Sequence, residues 1–154
     1  MTSSAAHIST SPDHSTSQDH STPPELLTSP QQIPASPKRI SPFRRLDAFE
    51  LTSLVRRVAD HPDFWRDRLE FSAQRRWWTR LIADPAVDVW LLSWLTEQGT
   101  ELHDHGSSSA AFTVVRGRLS EVRPRRTGEM SATTVETSHV RWVPPGAVHD
   151  VSNP

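Results

Sequence analysis

All six tryptophans and all five phenylalanines of this 154-residue chain lie after position 42. The first 42 residues hold ten serines, five threonines and seven prolines, and only five charged side chains. Such a stretch cannot bury enough apolar area to offset the entropy of ordering its backbone. The composition therefore divides the chain into a disordered Ser/Thr/Pro-rich segment, 1–42, and one folded domain, 43–154. Within the first segment, Ser11-Pro12-Asp13-His14-Ser15-Thr16 is nearly repeated as Ser17-Gln18-Asp19-His20-Ser21-Thr22. The Asp-His pairs read as low complexity, not as metal ligands.

Several function classes are excluded early. The formal net charge is −1, so there is no cationic excess to neutralise a phosphate backbone, and no nucleic-acid partner is expected. The longest apolar stretch, Val89 to Leu95, is seven residues, against the ~20 that span a bilayer. No membrane partner is expected, no secretory signal is readable, and the expectation is a cytoplasmic monomer. Cysteine is absent, which removes disulfides, thiolate metal sites and a cysteine nucleophile.

Between Leu46 and Asp60 the apolar residues follow helical spacing. Asp60-His61-Pro62 then punctuates the chain and opens a second expected helix through Phe64, Trp65, Leu69 and Phe71. Beyond Arg75 the texture is that of short strands: Trp77–Ile82, Val87–Leu95, Ala111–Val115, Arg118–Arg123, Ser131–Glu136 and Val140–Val143, separated by turn residues. Short strands at regular spacing indicate a sandwich or barrel, here with two N-terminal helices packed on it. Trp77, Trp90, Trp94 and Trp142 read as core residues, and Arg116, Arg118, Arg123, Arg125 and Arg126 as a solvated hairpin face.

The histidines carry the chemistry. In His103-Asp104-His105 the two imidazoles are two residues apart, so on a strand both enter one cavity. Gly117 closes a hairpin twelve residues after His105. Pro144-x-Gly146-x-x-His149-x-x-x-Asn153 then sets a third histidine after a tight turn, at the start of another strand. Three inward histidines would form a neutral three-nitrogen metal face with open positions for substrate.

In these residues the chain resembles the cupin superfamily, and more closely its cysteine dioxygenase branch. His103, His105, Ala110 and Gly117 follow the spacing of the first cupin motif, and Pro144, Gly146, His149 and Asn153 that of the second. Ala110 stands where many cupins carry a carboxylate ligand, a departure that marks thiol dioxygenases. The resemblance implies an all-β, cupin-type small β-barrel (jelly roll) holding Fe(II) on His103, His105 and His149. It implies oxidation of L-cysteine by O2 to the sulfinic acid. It also implies a carboxylate-binding arginine in an aromatic-Thr-Arg sequence, which Trp78-Thr79-Arg80 matches; a guanidinium fork pairs bidentately with a carboxylate. Ile82 stands where enzymes of 3-mercaptopropionate typically carry glutamine, which favours cysteine.

The family's barrel continues past the third histidine and carries a tyrosine there, whereas this sequence holds no tyrosine and stops five residues after His149. The reading therefore expects a product truncated at the C-terminus, with its barrel unfinished and its turnover slow. Two alternatives stay open: an inactive or small-molecule-binding truncated cupin, and a metal cupin acting on another substrate such as 3-mercaptopropionate.

Overall fold

A computed structural model describes residues 2–9 and 44–154. Residues 10–43, which hold the Asp-His repeats and most of the segment expected to be disordered, lie outside the described residues. The elements are β1 (Ser3–Ser9), α1 (Ala48–Asp60), β2 (Trp77–Asp84), β3 (Val87–Trp94), β4 (Ala110–Arg116), β5 (Arg118–Pro124), β6 (Met130–Glu136), β7 (Val140–Val143) and β8 (Asp150–Ser152). They form two antiparallel sheets, one in the order β2-β3-β1-β4-β7 and the other β6-β5-β8. This mostly β architecture agrees with a cupin-like fold. No helix among the described residues is long and apolar enough to cross a membrane.

The helix begins where its capping chemistry puts it. The Asp47 carboxylate accepts from the Glu50 N–H (2.8 Å) and the Glu50 carboxylate accepts from the Asp47 N–H (2.9 Å), satisfying two otherwise orphaned donors. Leu51, Val55 and Val58 form its buried stripe. They pack on Leu81, Val87, Val89, Leu91 and Ala111, one face of the five-stranded sheet. The opposite face (Ala5, Trp94, Ala110, Phe112 and Val114) meets Leu119, Val135 and Val151 of the second sheet. Covering on both faces explains why β3 and β4 read as near-continuous apolar runs instead of alternating ones.

Two expectations are corrected. In place of a second helix the chain makes two single 3-10 turns, Pro62–Phe64 and Arg66–Arg68. Neither turn contains a buried residue, and Phe64 and Phe71 stay more than a third exposed, so no apolar stripe repays propagation of a helix this short. The larger correction is at the N-terminus. Residues 3–9, placed by composition outside the fold, form β1 in the interior of the five-stranded sheet, antiparallel to both β3 and β4. Backbone pairing on two edges needs no large side chains, and Ser3, Ser4 and Ala5 are all buried. Gly117 accommodates this strand. It sits at φ +78°, and a Cβ there would lie 2.6 Å from Ser3 Oγ and 2.8 Å from the Thr2 carbonyl oxygen.

The helix-to-sheet core gives a direct test. Leu51→Ala, at a fully buried position, should lower unfolding free energy by about 2–5 kcal/mol. Phe49→Ala on the same helix, 79% exposed, should change it by less than about 0.5 kcal/mol. Urea unfolding followed by tryptophan fluorescence measures both.

Candidate metal centre

The β3–β4 connection does not wander. It is zipped antiparallel to the segment ending at Asn153 by backbone hydrogen bonds: Glu97 N–H to Asn153 O (2.8 Å), Thr100 N–H to Val151 O (2.9 Å), and a reciprocal pair between His103 and His149 (2.9 Å each). Gly99 opposes Ser152 in this ladder, where an added Cβ would come within 3.0 Å of the Ser152 Cβ. His103 and His149 are thus direct cross-strand partners, which sets their side chains on one face. A turn closed by Ser108 N–H to His105 O (3.0 Å) brings the third imidazole round.

One nitrogen from each of His103, His105 and His149 lies within 4.8 Å of the other two. His105 Nε2 and His149 Nε2 are 3.2 Å apart. The Nδ1 atoms of His103 and His149 are engaged in ways that fix their tautomers. His103 Nδ1–H donates to the Glu101 carbonyl (2.9 Å), which leaves Nε2 as the lone-pair nitrogen. His149 Nδ1–H donates to Glu121 Oε1 (2.9 Å). Orientation of a ligating imidazole by a carboxylate on its far nitrogen is a recurrent property of metal sites. The donor set fits a divalent transition metal: three convergent imidazole nitrogens, none from an anionic side chain, beside a cavity.

Glu121 was not singled out in the sequence. It stands in β5 at 1% exposure, two residues from fully buried Leu119, and Arg123 donates to its Oε1 from Nε (2.8 Å) and Nη2 (2.6 Å). Arg141 Nε donates to Oε2 (2.7 Å). Burial pushes this carboxyl upward, but the hydrogen bonds from His149, Arg123 and Arg141 outweigh it and hold the group down at about 2. It is therefore ionised at neutral pH. Arg123, expected on a solvated hairpin face, instead neutralises a buried acid. The detectable signal was an acid in phase with Leu119 on the inward side of a strand.

The histidines border a cavity of about 190 Å³ whose other walls include Ala5, Leu92, Trp94, Phe112 and Val151, with Arg76 at its margin. Trp94, read as core, is buried and also a wall of this cavity; Trp142 is 41% exposed. Arg80 does not border it. Its guanidinium lies 3.4 Å from Asp88 Oδ1 and stacks over the Trp90 ring at 4.8 Å. Trp78 and Arg80 share one face of β2, and Arg76 precedes the strand in the same parity, four residues and about 13 Å of extended chain from Arg80. The register pairs Arg80 with Trp90, whereas the cavity lies beyond Leu92, toward Trp94. Among the described residues, the cation that borders this cavity is Arg76, whose Nη1–H donates to the Gly99 carbonyl (3.2 Å). Ala110 is fully buried in apolar surroundings and offers no ligand.

The model of cysteine dioxygenase type I matches residues 29–142, about three quarters of the sequence. The chain belongs to the cysteine dioxygenase type I family. Membership implies thiol dioxygenase chemistry at a metal centre. The match ends before His149, so the place of that histidine rests on the cross-strand geometry above. Among curated proteins, none matches the chain at a significant level.

Acid should weaken the metal-free dioxygenase-family chain in two stages. Burial first, then the neighbouring His149 and His103, push His105 down from the usual 6.5 to about 4. Between those values the unfolded chain takes up a proton that the folded one refuses, so stability is full above pH 6.5 and falls as pH drops toward 4. Glu121, held low, contributes stability above its ordinary 4.5 that is lost as pH falls toward about 2. Urea midpoints against pH should show both stages, and His105→Gln should flatten the upper one. For the carboxylate itself, Glu121→Gln should weaken Zn(II) or Co(II) binding by about 10–100-fold, measured by competitive titration.

Proposed function

We propose that the chain is a non-haem iron dioxygenase that adds both atoms of O2 to the thiol of L-cysteine, giving cysteine sulfinate. The observation that carries this reading is the convergence of three imidazoles, with no carboxylate among them, on a cavity that also presents a guanidinium. Fe(II), held by His103, His105 and His149, would supply the Lewis acidity and electron transfer that couple a thiol to dioxygen.

The chain's own residues do the rest. Glu121 holds the His149 Nδ1 proton, so that Nε2 keeps its lone pair toward the cavity. With no anionic ligand, a site of this kind keeps its positive charge for an anionic thiolate. Arg76 takes over the role that the aromatic-Thr-Arg resemblance had assigned to Arg80. Its fork offers five N–H donors, of which one is given to Gly99, and the remainder suit a carboxylate. Leu92, Trp94, Phe112 and Val151 supply an apolar wall that limits water around the reacting sulfur. Holding thiol and carboxylate at two fixed points turns an encounter of separate reactants into an oriented one.

Calorimetry on the anaerobic Fe(II) form tests this reading. Cysteine and 3-mercaptopropionate, which carry a carboxylate, should bind about 10–100-fold more tightly than cysteamine, which lacks one, because a charge-assisted hydrogen bond contributes roughly 1.5–3 kcal/mol. Arg76→Ala should abolish that preference and Arg80→Ala should retain it. Equal affinities of cysteine and cysteamine for the unaltered protein would remove the carboxylate clamp. An oxygen electrode with sulfinate detection then measures turnover.

A further inference from the structure

The N-terminal strand has an unusual position. It is separated from the rest of the described chain by residues 10–43, yet it lies at the centre of the five-stranded sheet. Seven residue pairs join it to β3, from Ser3 opposite Trp94 to Ser9 opposite Asp88, and six pairs join it to β4, from Ser4 opposite Arg116 to Ser9 opposite Ala110. The other neighbour of β3 is β2, and the other neighbour of β4 is β7. Without β1, the sheet would be two two-stranded ribbons with facing unpaired edges, an arrangement marginal in water.

The strand also reaches the metal centre. Ala5, 1% exposed, forms part of the wall of the histidine cavity together with Leu92, Trp94 and Phe112. Ser3 Oγ–H donates to the Arg118 carbonyl (2.7 Å) and lies 3.1 Å from Asn153 Oδ1, and the Arg118 N–H donates back to Ser3 Oγ at 3.3 Å. Asn153 is the last residue of the second histidine motif, and its Nδ2–H donates to the Trp94 carbonyl (3.2 Å). The start of β1 is therefore tied to the same segment that carries His149.

From these contacts we infer that residues Ser3–Ser9 are a strand the chain inserts into its own β3–β4 slot, and that this strand closes the histidine cavity and holds the metal centre in its binding geometry. The mode is strand addition within one chain: main-chain pairing on both edges supplies the affinity, and the small residues Ser3, Ser4 and Ala5 are buried there. The inference rests on the metal-centre reading only in its second half, so the two halves are tested separately.

The absence of cysteine makes cross-linking clean. In an antiparallel ladder, neighbouring pairs alternate between hydrogen-bonded and closer non-hydrogen-bonded types, and the closer type suits a disulfide. Two full-length double variants therefore cover both cases: Ser4→Cys with Ser93→Cys, and Ala5→Cys with Leu92→Cys. At least one should oxidise to a cross-linked monomer on a non-reducing gel. Free thiols in both variants, or cross-linked dimers from strands exchanged between copies, would overturn the strand's place in its own chain. For the metal centre, Co(II) titration of full-length Ala5→Pro, which breaks the strand's pairing, should show affinity reduced about tenfold or more, as for loss of a supporting contact. Amide exchange should rise in β3 and β4. Retained amide protection in β5 and β6 of the proline variant separates loss of the closing strand from a general folding failure. Unchanged Co(II) affinity with β3 and β4 deprotected would overturn the closing role. A parent chain that binds no Co(II) would remove the metal-centre reading and the closing role together, while the cross-link still decides the strand.

Discussion

One buried carboxylate organises the centre of this molecule. Glu121 is an ion at 1% exposure, and an isolated charge taken that far from water would cost several kcal/mol. It is tolerated because two guanidiniums and one imidazole converge on its two oxygens. Arg141 comes from β7, in the five-stranded sheet, while Glu121 and Arg123 come from β5, in the other, so the cluster also ties the two sheets together. His149 enters the same cluster through Nδ1. A change at Glu121 therefore acts on sheet packing and on the metal centre through the same atoms.

The second constraint is the ladder between the β3–β4 connection and the segment carrying His149. Connections of this length usually run free over the surface, whereas this one is held by backbone hydrogen bonds from Glu97 to His103. It accepts non-glycine residues at positive φ, Glu97 at 71° and Glu101 at 64°, and the second of these offers its carbonyl to His103 Nδ1. Local strain thus sits where it orients the His103 ring. The histidine triad is a property of the pairing between two distant segments, and the His-x-His spacing alone would not bring the third ring within reach.

The sequence exposed the later strands well. Trp77–Ile82, Val87–Leu95, Ala111–Val115 and their successors stand within one or two residues of the observed elements, because each is apolar or β-branched and bounded by Pro, Gly or Asp turns. The first helix was legible from its apolar spacing, and its start is fixed by the capping box. The second failed because only Trp65 and, in part, Leu69 reach the core while Phe64 and Phe71 stay exposed, too little to propagate a helix. Strand β1 was invisible for the opposite reason: Ser-Ser-Ala-Ala-His-Ile-Ser carries one large apolar residue, and what places it in the sheet is backbone pairing.

The amino-acid sequence by itself determined the family, the β-rich class and the identity of the three histidines, since the motifs are written in residue type and spacing. Only the tertiary structure decided which arginine borders their cavity. Arg80 lies on β2 and Arg76 just before it, in the same sequence parity, and alternation cannot say how far along the chain a cavity lies; the register of β2 against β3 does. It also decided that Glu121 supports His149 from another strand, and that a Ser-rich N-terminus supplies a wall of the site. Each of these depends on a contact between segments far apart in the chain, and local composition carries no information about partners at that distance.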